Sequence, residues 1–135
     1  MRLKLEPASP IPTYLQIVEQ VRNAIVAGTL KPDEELPSVR ALASVHLINP
    51  NTVARAYMEL EREGLLEKKR GMGTYVCPQT IKNRAAQKTR IVGELLDGAL
   101  KTAVSMRLSA TQVRMLFEER LKRARDLAAE EETES

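Results

Sequence analysis

The stretch INPNTVARAY, Ile48–Tyr57, decides the fold of the first half of this chain. Its apolar residues recur at helical spacing and continue just beyond it: Val53, Ala56, Tyr57 and Leu60. Pro50 does not break this helix, because the first helical position needs no N–H donor and suits the fixed φ of proline. With Asn49 as the N-cap, the pattern predicts a helix from Pro50 to about Glu63, ending at Gly64.

Two further helices precede this one. An apolar stripe predicts the first over Thr13–Ala27, with Gly28 where a C-cap belongs. The stripe consists of Tyr14, Val18, Val21 and Ile25. In LPSVRALASVH, Ser38 suits the N-cap of a short second helix whose inward side is formed by Leu42 and Ala43.

Beyond Gly64 the pattern changes to short β-compatible runs. LLEKK and TYV are joined by RGMG, whose glycines permit the backbone angles of a tight turn. The sequence therefore predicts a β-hairpin. Three helices followed by a hairpin is the order of a winged helix, which is a helix-turn-helix carrying a two-stranded wing.

From Gln79 the composition changes to a polar, basic stretch, QTIKNRAAQKTR, which two helical patterns follow. The second pattern opens with SATQ, Ser109–Gln112, a capping box. A short turn at about Arg107 and Leu108 joins the two helices in an antiparallel hairpin. We expect the final EEETES to be frayed.

Two amphipathic helices cannot cover each other's apolar faces well, because a helical pair has no third layer to pack against. A partner is therefore expected, and the economical one is the same hairpin of a second subunit. Packing onto the winged helix of the same chain stays open as an alternative. The predicted dimerisation residues are Val92, Leu95, Leu96, Ala99, Ala103, Met106, Val113, Leu116, Phe117 and Leu121.

These patterns predict the fold class α+β, mainly α. The N-terminal winged helix-turn-helix is expected over residues 1–78, and the C-terminal two-helix dimerisation hairpin over 79–135, with the last few residues disordered.

The start of the third helix carries candidate DNA-reading residues. Asn51 and Thr52 lie in its first turn, outside the apolar stripe, and Arg55 projects from the next turn. Asparagine can bond adenine bidentately, arginine can bond guanine or a phosphate, and the threonine methyl can contact thymine. Asn49 is expected to be occupied as the cap, which leaves Asn51 and Thr52 free to face DNA.

Phosphate contacts are expected around this helix. Arg40 points outward from the second helix, where it can clamp the DNA backbone. A basic turn would by itself be an ordinary solvated surface, but beside a helix-turn-helix the wing suits minor-groove or phosphate contact. The candidate wing residues are Lys68, Lys69, Arg70, Gly71, Gly73 and Thr74.

The composition limits the function classes. The 135 residues carry a formal net charge of +3 and a pI of about 9.2, which tolerates a polyanionic partner without demanding one. Cys77 is the only cysteine and is expected to be a small semi-buried residue. His46 is the only histidine, so one chain can form neither a disulfide framework nor a Cys/His zinc site.

Without a nucleophile motif or a phosphate-binding GxxxxGK, an enzyme is the weakest function class, and no cofactor is expected. No stretch resembles a signal peptide or a membrane span, so we expect a cytoplasmic protein.

The run PIPTYLQIVEQVRNAIVAGTLKPDEELPSVRALA, and then INPNTVARAYMELEREGLLEKKRGMGTYV, closely resembles the N-terminal winged helix of the GntR family of bacterial transcription regulators. LPSVRALA matches the family's LPSxRxLA, and GLLEKKRGMGTYV matches its wing. The NPNTV form and the short two-helix tail resemble the YtrA-type subfamily.

The resemblance implies DNA-facing positions for six residues and a capping role near phosphate for Ser38. The six are Arg40, Asn51, Thr52, Arg55, Gly71 and Thr74. It also implies dimerisation through the tail and repression of transport operons, often those of ABC transporters.

Two positions depart from the family pattern. Pro50 stands where many members have Arg, and Leu47 stands in the turn where many have Gly, so Leu47 is expected to need strained backbone angles.

The leading functional hypothesis is a homodimeric repressor that binds a near-palindromic double-stranded DNA operator. Base discrimination is expected from Asn51 and Thr52, and affinity from Arg40, Arg55 and the wing. The alternative is a winged-helix protein-interaction module, in which the C-terminal hairpin binds a different protein and the basic wing is incidental. The sequence indicates neither the operator sequence, the regulated genes nor any small-molecule effector.

Overall fold

The computed structural model describes residues 1–78 and 84–134. The described elements are α1 (Thr13–Ala27), α2 (Val39–His46), α3 (Pro50–Arg62), β1 (Leu66–Lys69), β2 (Gly73–Val76), α4 (Arg84–Ser105) and α5 (Ala110–Glu134). This order confirms the predicted class, α+β and mainly α, with a winged helix-turn-helix ahead of a helical C-terminal region. The chain divides into two compact units, Met1–Lys88 and Thr89–Ser135. Of the predicted polar, basic stretch, residues 79–83 lie outside the described residues and the rest already belongs to α4. The domain boundary after residue 78 stays a prediction.

α1 has the bounds that its apolar stripe predicts. Gly28 closes it in the left-handed conformation, with φ 88°, and donates its N–H to the carbonyl of Ile25. Val18, Val21 and Ile25 of the predicted stripe are buried in the core of the first unit, while Tyr14 at the helix start is only partly buried. The apolar periodicity therefore identified the inward face of α1 correctly.

α2 and α3 form the helix-turn-helix. Leu42 and Ala43 of α2 are buried, as expected. The predicted stripe of α3 is buried over its full length: Val53, Ala56, Tyr57 and Leu60. Leu47 joins the two helices with φ 53° and ψ 45°, so the predicted left-handed strain is present, and the amide of Ile48 closes the turn by donating to Ala43 O at 3.0 Å.

Two contacts fix α3 against the other helices. The buried Tyr57 hydroxyl donates to Pro37 O at 2.7 Å, just ahead of α2. At the other end, Arg22 of α1 donates two hydrogen bonds to the carboxylate of Glu63, at 3.1 Å from Nε and 2.5 Å from Nη2. These bonds hold the orientation of α3, which apolar packing alone would leave less well defined.

The N-terminal segment is extended but is not a strand. Gln20 of α1 accepts from Lys4 N at 2.8 Å and donates to Lys4 O at 2.7 Å, so its amide replaces a strand partner. Gln16 forms the same pair of bonds with Glu6, at 2.9 and 3.0 Å. Leu3 and Leu5, which alternate with polar residues, thus lie in a segment attached to α1 by two side-chain amides.

The wing is the predicted antiparallel hairpin, and it has a third segment that the sequence did not reveal. β1 and β2 pair with Leu66 opposite Val76 and Lys69 opposite Gly73. Residues 33–36, between α1 and α2, run along the other edge of β2: Leu36 N donates to Thr74 O and Val76 N to Glu34 O, both at 2.9 Å. This pairing covers the free edge of β2.

The C-terminal region contains the two predicted helices and the predicted short connection. α4 ends in a turn in which Arg107 has φ 59° and Leu108 N donates to Ala103 O at 3.0 Å. The capping box is confirmed: Ser109 N donates to Gln112 Oε1 at 2.8 Å, and Gln112 N donates to Ser109 Oγ at 3.1 Å. α5 is helical through Glu134, where the sequence suggested frayed residues.

Candidate nucleic-acid interface

The first turn of α3 is exposed, and its cap is made by one residue only. Asn49 Oδ1 accepts from Asn51 N at 2.9 Å, and Pro50 occupies the first helical position. Asn51 is exposed and Thr52 is partly exposed. Within the described residues neither side chain makes a hydrogen bond. The capping role predicted for Asn49 is therefore confirmed, and two polar side chains remain available at the start of α3.

The start of α2 carries a serine whose side chain is already hydrogen-bonded and an exposed arginine. Ser38 Oγ accepts from Ala41 N at 3.0 Å, so its hydroxyl oxygen is used in the predicted N-cap. Arg40 is exposed, and the described part of the chain gives its guanidinium no carboxylate partner. A capped helix start holds Arg40 on a defined first turn.

Arg55 on α3 lies over an aromatic ring of α1. Its Cζ is 3.8 Å from the centroid of Tyr14. The sequence pattern assigned Tyr14 to the apolar stripe of α1 and did not predict this contact. The two residues are far apart in sequence, and only the packing of α1 against α3 brings them together.

The three basic residues of the wing differ in their surroundings. Lys68 Nζ lies 3.8 Å from Glu61 Oε1 on α3, and Lys69 Nζ lies 3.6 Å from Asp33 Oδ1. Lys69 also lies 4.5 Å from the ring centroid of Tyr75. Arg70, at the turn, has no ion-pair partner in residues 1–78 or 84–134. The sequence treated the three as one basic cluster and missed the carboxylates that face the two lysines.

The wing turn depends on glycine at two predicted positions. Gly71 has φ 74° and Gly73 has φ 118°, both in the region that favours glycine. A Cβ on Gly73 would lie 3.0 Å from Glu35 Oε1, so this position is also crowded by the third segment of the wing. Thr74, opposite Lys68 in the hairpin, is partly exposed. The wing thus presents Arg70 on a tight turn beside partly neutralised lysines.

The predicted dimerisation residues form exposed apolar bands on α4 and α5. Leu95 is 71% exposed and Met106, which lies in the turn after α4, is 70% exposed. The other large side chains of the predicted set are also exposed or partly exposed: Val92, Leu96, Val113, Leu116, Phe117 and Leu121. Ala103 is partly exposed and Ala99 is exposed. The bands are wider than predicted, since Leu100, Val104, Met115 and Leu127 are exposed as well.

The described residues contain little that suggests other chemistry. They hold no group of three or more His, Cys, Asp or Glu side chains able to bind a metal ion, and none of their helices is long and apolar enough to cross a membrane. Cys77 directly follows β2 and is buried, where a semi-buried residue was expected. Burial, followed by the charges of Glu67 and Asp33, raises the pKa of its thiol.

Comparisons with known proteins agree with this architecture. Residues 13–76 match the profile of bacterial regulatory proteins, gntR family. The HTH-type transcriptional repressor YtrA of Bacillus subtilis is 42% identical over 94 residues, which cover 70% of this chain and 72% of that protein. The structure of a GntR family transcriptional regulator from Listeria monocytogenes superposes with a TM-score of 0.71 at 29% identity, covering 85% of this chain and 98% of that one.

The similar structures include complexes with DNA. The DNA-binding domain of AraR, solved in complex with operator ORX1, has a TM-score of 0.51 and 27% identity to this chain, of which it covers 57%, while 99% of that domain is covered. The profile match falls on the helix-turn-helix and wing, and the similarity to YtrA extends over most of both proteins. This chain therefore belongs to the GntR family of bacterial regulatory proteins.

Proposed function

We propose that this protein is a homodimeric transcriptional repressor that binds a near-palindromic DNA operator with α3 in the major groove. The observation that carries the proposal is the start of α3. Asn49 alone makes the cap, so Asn51 and Thr52 present hydrogen-bonding groups at the position from which a recognition helix reaches base edges. The structure of the AraR DNA-binding domain with an operator, on a similar fold, supports DNA binding by this unit.

The available charges suggest how binding is divided among the residues. Asn51 and Thr52 discriminate bases, because their groups match the base-edge pattern of the major groove. Arg40, Arg55 and Arg70 provide phosphate contacts, since no carboxylate of the described residues neutralises them. Lys68 and Lys69 contribute less, because each faces a carboxylate. The remaining proposed contacts are made near Ser38, Gly71, Gly73 and Thr74.

The dimer is proposed to form through α4 and α5. Their exposed apolar side chains require cover, and the same surface on a second copy gives a closed, two-fold symmetric contact. Two α3 helices then enter major grooves about 34 Å apart, or slightly more, on one face of the duplex. This geometry is the reason for proposing a near-palindromic operator.

The regulatory outcome proposed is repression by exclusion of the polymerase from an operon. Support comes from the similar repressor YtrA, which matches both the DNA-binding region and part of the tail. The subfamily resemblance makes an ABC-type transporter operon the first candidate. The protein's own upstream DNA is the natural source of a test sequence.

Fluorescence anisotropy with that upstream duplex and a scrambled duplex of equal length tests the proposal. We expect tighter binding to the upstream DNA and a steep salt dependence. With ~6 to 10 phosphate contacts per dimer, affinity should fall roughly 10³- to 10⁵-fold between 50 and 200 mM salt. Equal, salt-insensitive binding to both duplexes, or no binding, would contradict a DNA-binding function.

The exposed apolar bands also favour a second candidate, a winged-helix module whose C-terminal helices bind a different protein. The double variant Arg40→Ala, Arg70→Ala separates the two functions. Loss of DNA binding with the homodimer intact, measured by sedimentation, supports the repressor. A wild-type protein that is monomeric in solution and binds another protein through α4 and α5 supports the second candidate.

A further inference from the structure

The contact between Arg55 and Tyr14 connects the start of α1 to α3. The guanidinium carbon lies 3.8 Å from the ring centroid, within the range of a favourable cation–π interaction. At this distance an arginine can stack on an aromatic ring with the face of its planar group. Its N–H donors lie at the edge of the plane and remain available for other acceptors.

Those donors have no acceptor in the described part of the chain. Two other arginines of the first unit differ in this respect, since Arg22 binds Glu63, directly after α3, and Arg62 binds Glu59 at 2.7 Å. Arg55 is exposed, and it lies one turn beyond Asn51 and Thr52 on α3. The structure therefore holds this charge on an aromatic ring without neutralising it.

Such an arrangement has an energetic consequence for binding. A free arginine side chain loses rotamer freedom when it contacts a phosphate, and this loss weakens the complex. A ring that already holds the side chain reduces the loss. Lysine would not serve equally well at this position, because its ammonium lacks the planar face and the fork of donors.

We propose that Tyr14 is a positioning residue for DNA binding: its ring holds the Arg55 guanidinium in place to donate to a backbone phosphate of the operator. The inference rests on the proposed function. It assigns to α1 a part in recognition, although Tyr14 itself need not contact the DNA.

A double-mutant cycle on the full chain tests the inference, with affinity measured by anisotropy on the upstream duplex. Tyr14→Leu removes the ring and keeps an apolar side chain, whereas Tyr14→Phe keeps the ring and is the matched control. We expect Tyr14→Leu to weaken binding roughly 3- to 30-fold, the range for a cation–π contact, and Tyr14→Phe to stay within about 2-fold of the wild type. In an Arg55→Ala background, Tyr14→Leu should have no further effect, and the salt slope should equal that of Arg55→Ala alone.

A second measurement on the free wild type does not depend on the folding of any variant. Nitrogen relaxation of arginine side chains should give Arg55 an order parameter above about 0.6, and Arg40 a lower one. Equal mobility of the two side chains would overturn the inference. Independent effects of the two substitutions, or wild-type affinity in Tyr14→Leu, would overturn it while leaving the proposed function intact. Failure of the wild type to bind DNA would overturn both.

Discussion

Tyr57 links the apolar stripe of α3 to the segment that leads into α2. The residue is 2% exposed, and its hydroxyl donates to Pro37 O at 2.7 Å. Burial raises the pKa of Tyr57 from 10.0 to about 12, because the phenolate would lose its hydration in the core. This single side chain therefore couples the stability of the helix-turn-helix to alkaline pH.

The direction of that coupling follows from the two states. The folded protein favours the neutral phenol. The stability that this preference provides is fully present below pH 10 and is lost as the pH rises from 10 to 12. A shift of this size corresponds to about 3 kcal/mol of unfolding free energy. Tyr57→Phe should remove this part of the decline and cost about 1 kcal/mol at neutral pH, through the lost hydrogen bond. Urea unfolding of both proteins from pH 8 to 11.5 measures the difference, and parallel declines would contradict the explanation.

Residue-level features were predictable from sequence where their causes are local. The capping roles of Ser38 and Asn49 depend on amides two or three positions away, and Leu47 is left-handed because of its place in a short turn. The Tyr14–Arg55 contact depends on how α1 packs against α3, which no local pattern contains.

At the scale of elements, the wing shows what a third segment does to a basic hairpin. Residues 33–36 pair with the far edge of β2 and bring Asp33 close to Lys69. Lys68, on β1, faces Glu61, whose Oε1 is buried and has no hydrogen-bond partner among the described residues. Both acids lie outside the hairpin, Glu61 on α3 and Asp33 ahead of α2, so periodicity could predict the hairpin but not its partial neutralisation.

The wing therefore predicts different effects for two neighbouring charges. Arg70→Ala should leave stability within about 0.5 kcal/mol of the wild type and reduce the salt slope of DNA binding by about one per half-site. Lys68→Ala should lower the unfolding free energy by about 0.5 to 1 kcal/mol, because a carboxylate loses its ion pair, and should change the salt slope less. Urea unfolding and anisotropy titrations at four salt concentrations provide both quantities. A larger loss of salt slope in Lys68→Ala than in Arg70→Ala would contradict this assignment.

At the scale of the whole molecule, the two units differ in how far they bury their apolar side chains. The first has a closed core built from three helices and the wing, including Ile17, Leu42, Tyr57 and Leu66. The second has long helices whose large apolar side chains are mainly exposed. The helical periodicity predicted both patterns. The width of the apolar bands was missed, because Leu100 and Val104 lie to one side of the predicted stripe.

In the proposed dimer the exposed apolar side chains of α4 and α5 form the subunit contact. Substitutions on opposite faces of α4 test this contact with a matched control. Leu96→Glu places a charge on the predicted stripe, where desolvation opposes association. Lys101→Glu places the same side chain half a turn away, about 180° around the helix from Val92 at 100° per residue. We expect Leu96→Glu to be monomeric at micromolar concentration, and Lys101→Glu to remain dimeric.

DNA binding should follow the oligomeric state, because a monomer reaches only one half-site. Leu96→Glu should bind the full operator at least roughly 10-fold more weakly than Lys101→Glu and should lose its preference for a full site over a half-site. Sedimentation velocity and anisotropy on full-site and half-site duplexes make the comparison. A dimeric Leu96→Glu would place the contact elsewhere on the molecule. A monomeric Leu96→Glu with undiminished operator affinity would instead separate dimerisation from recognition.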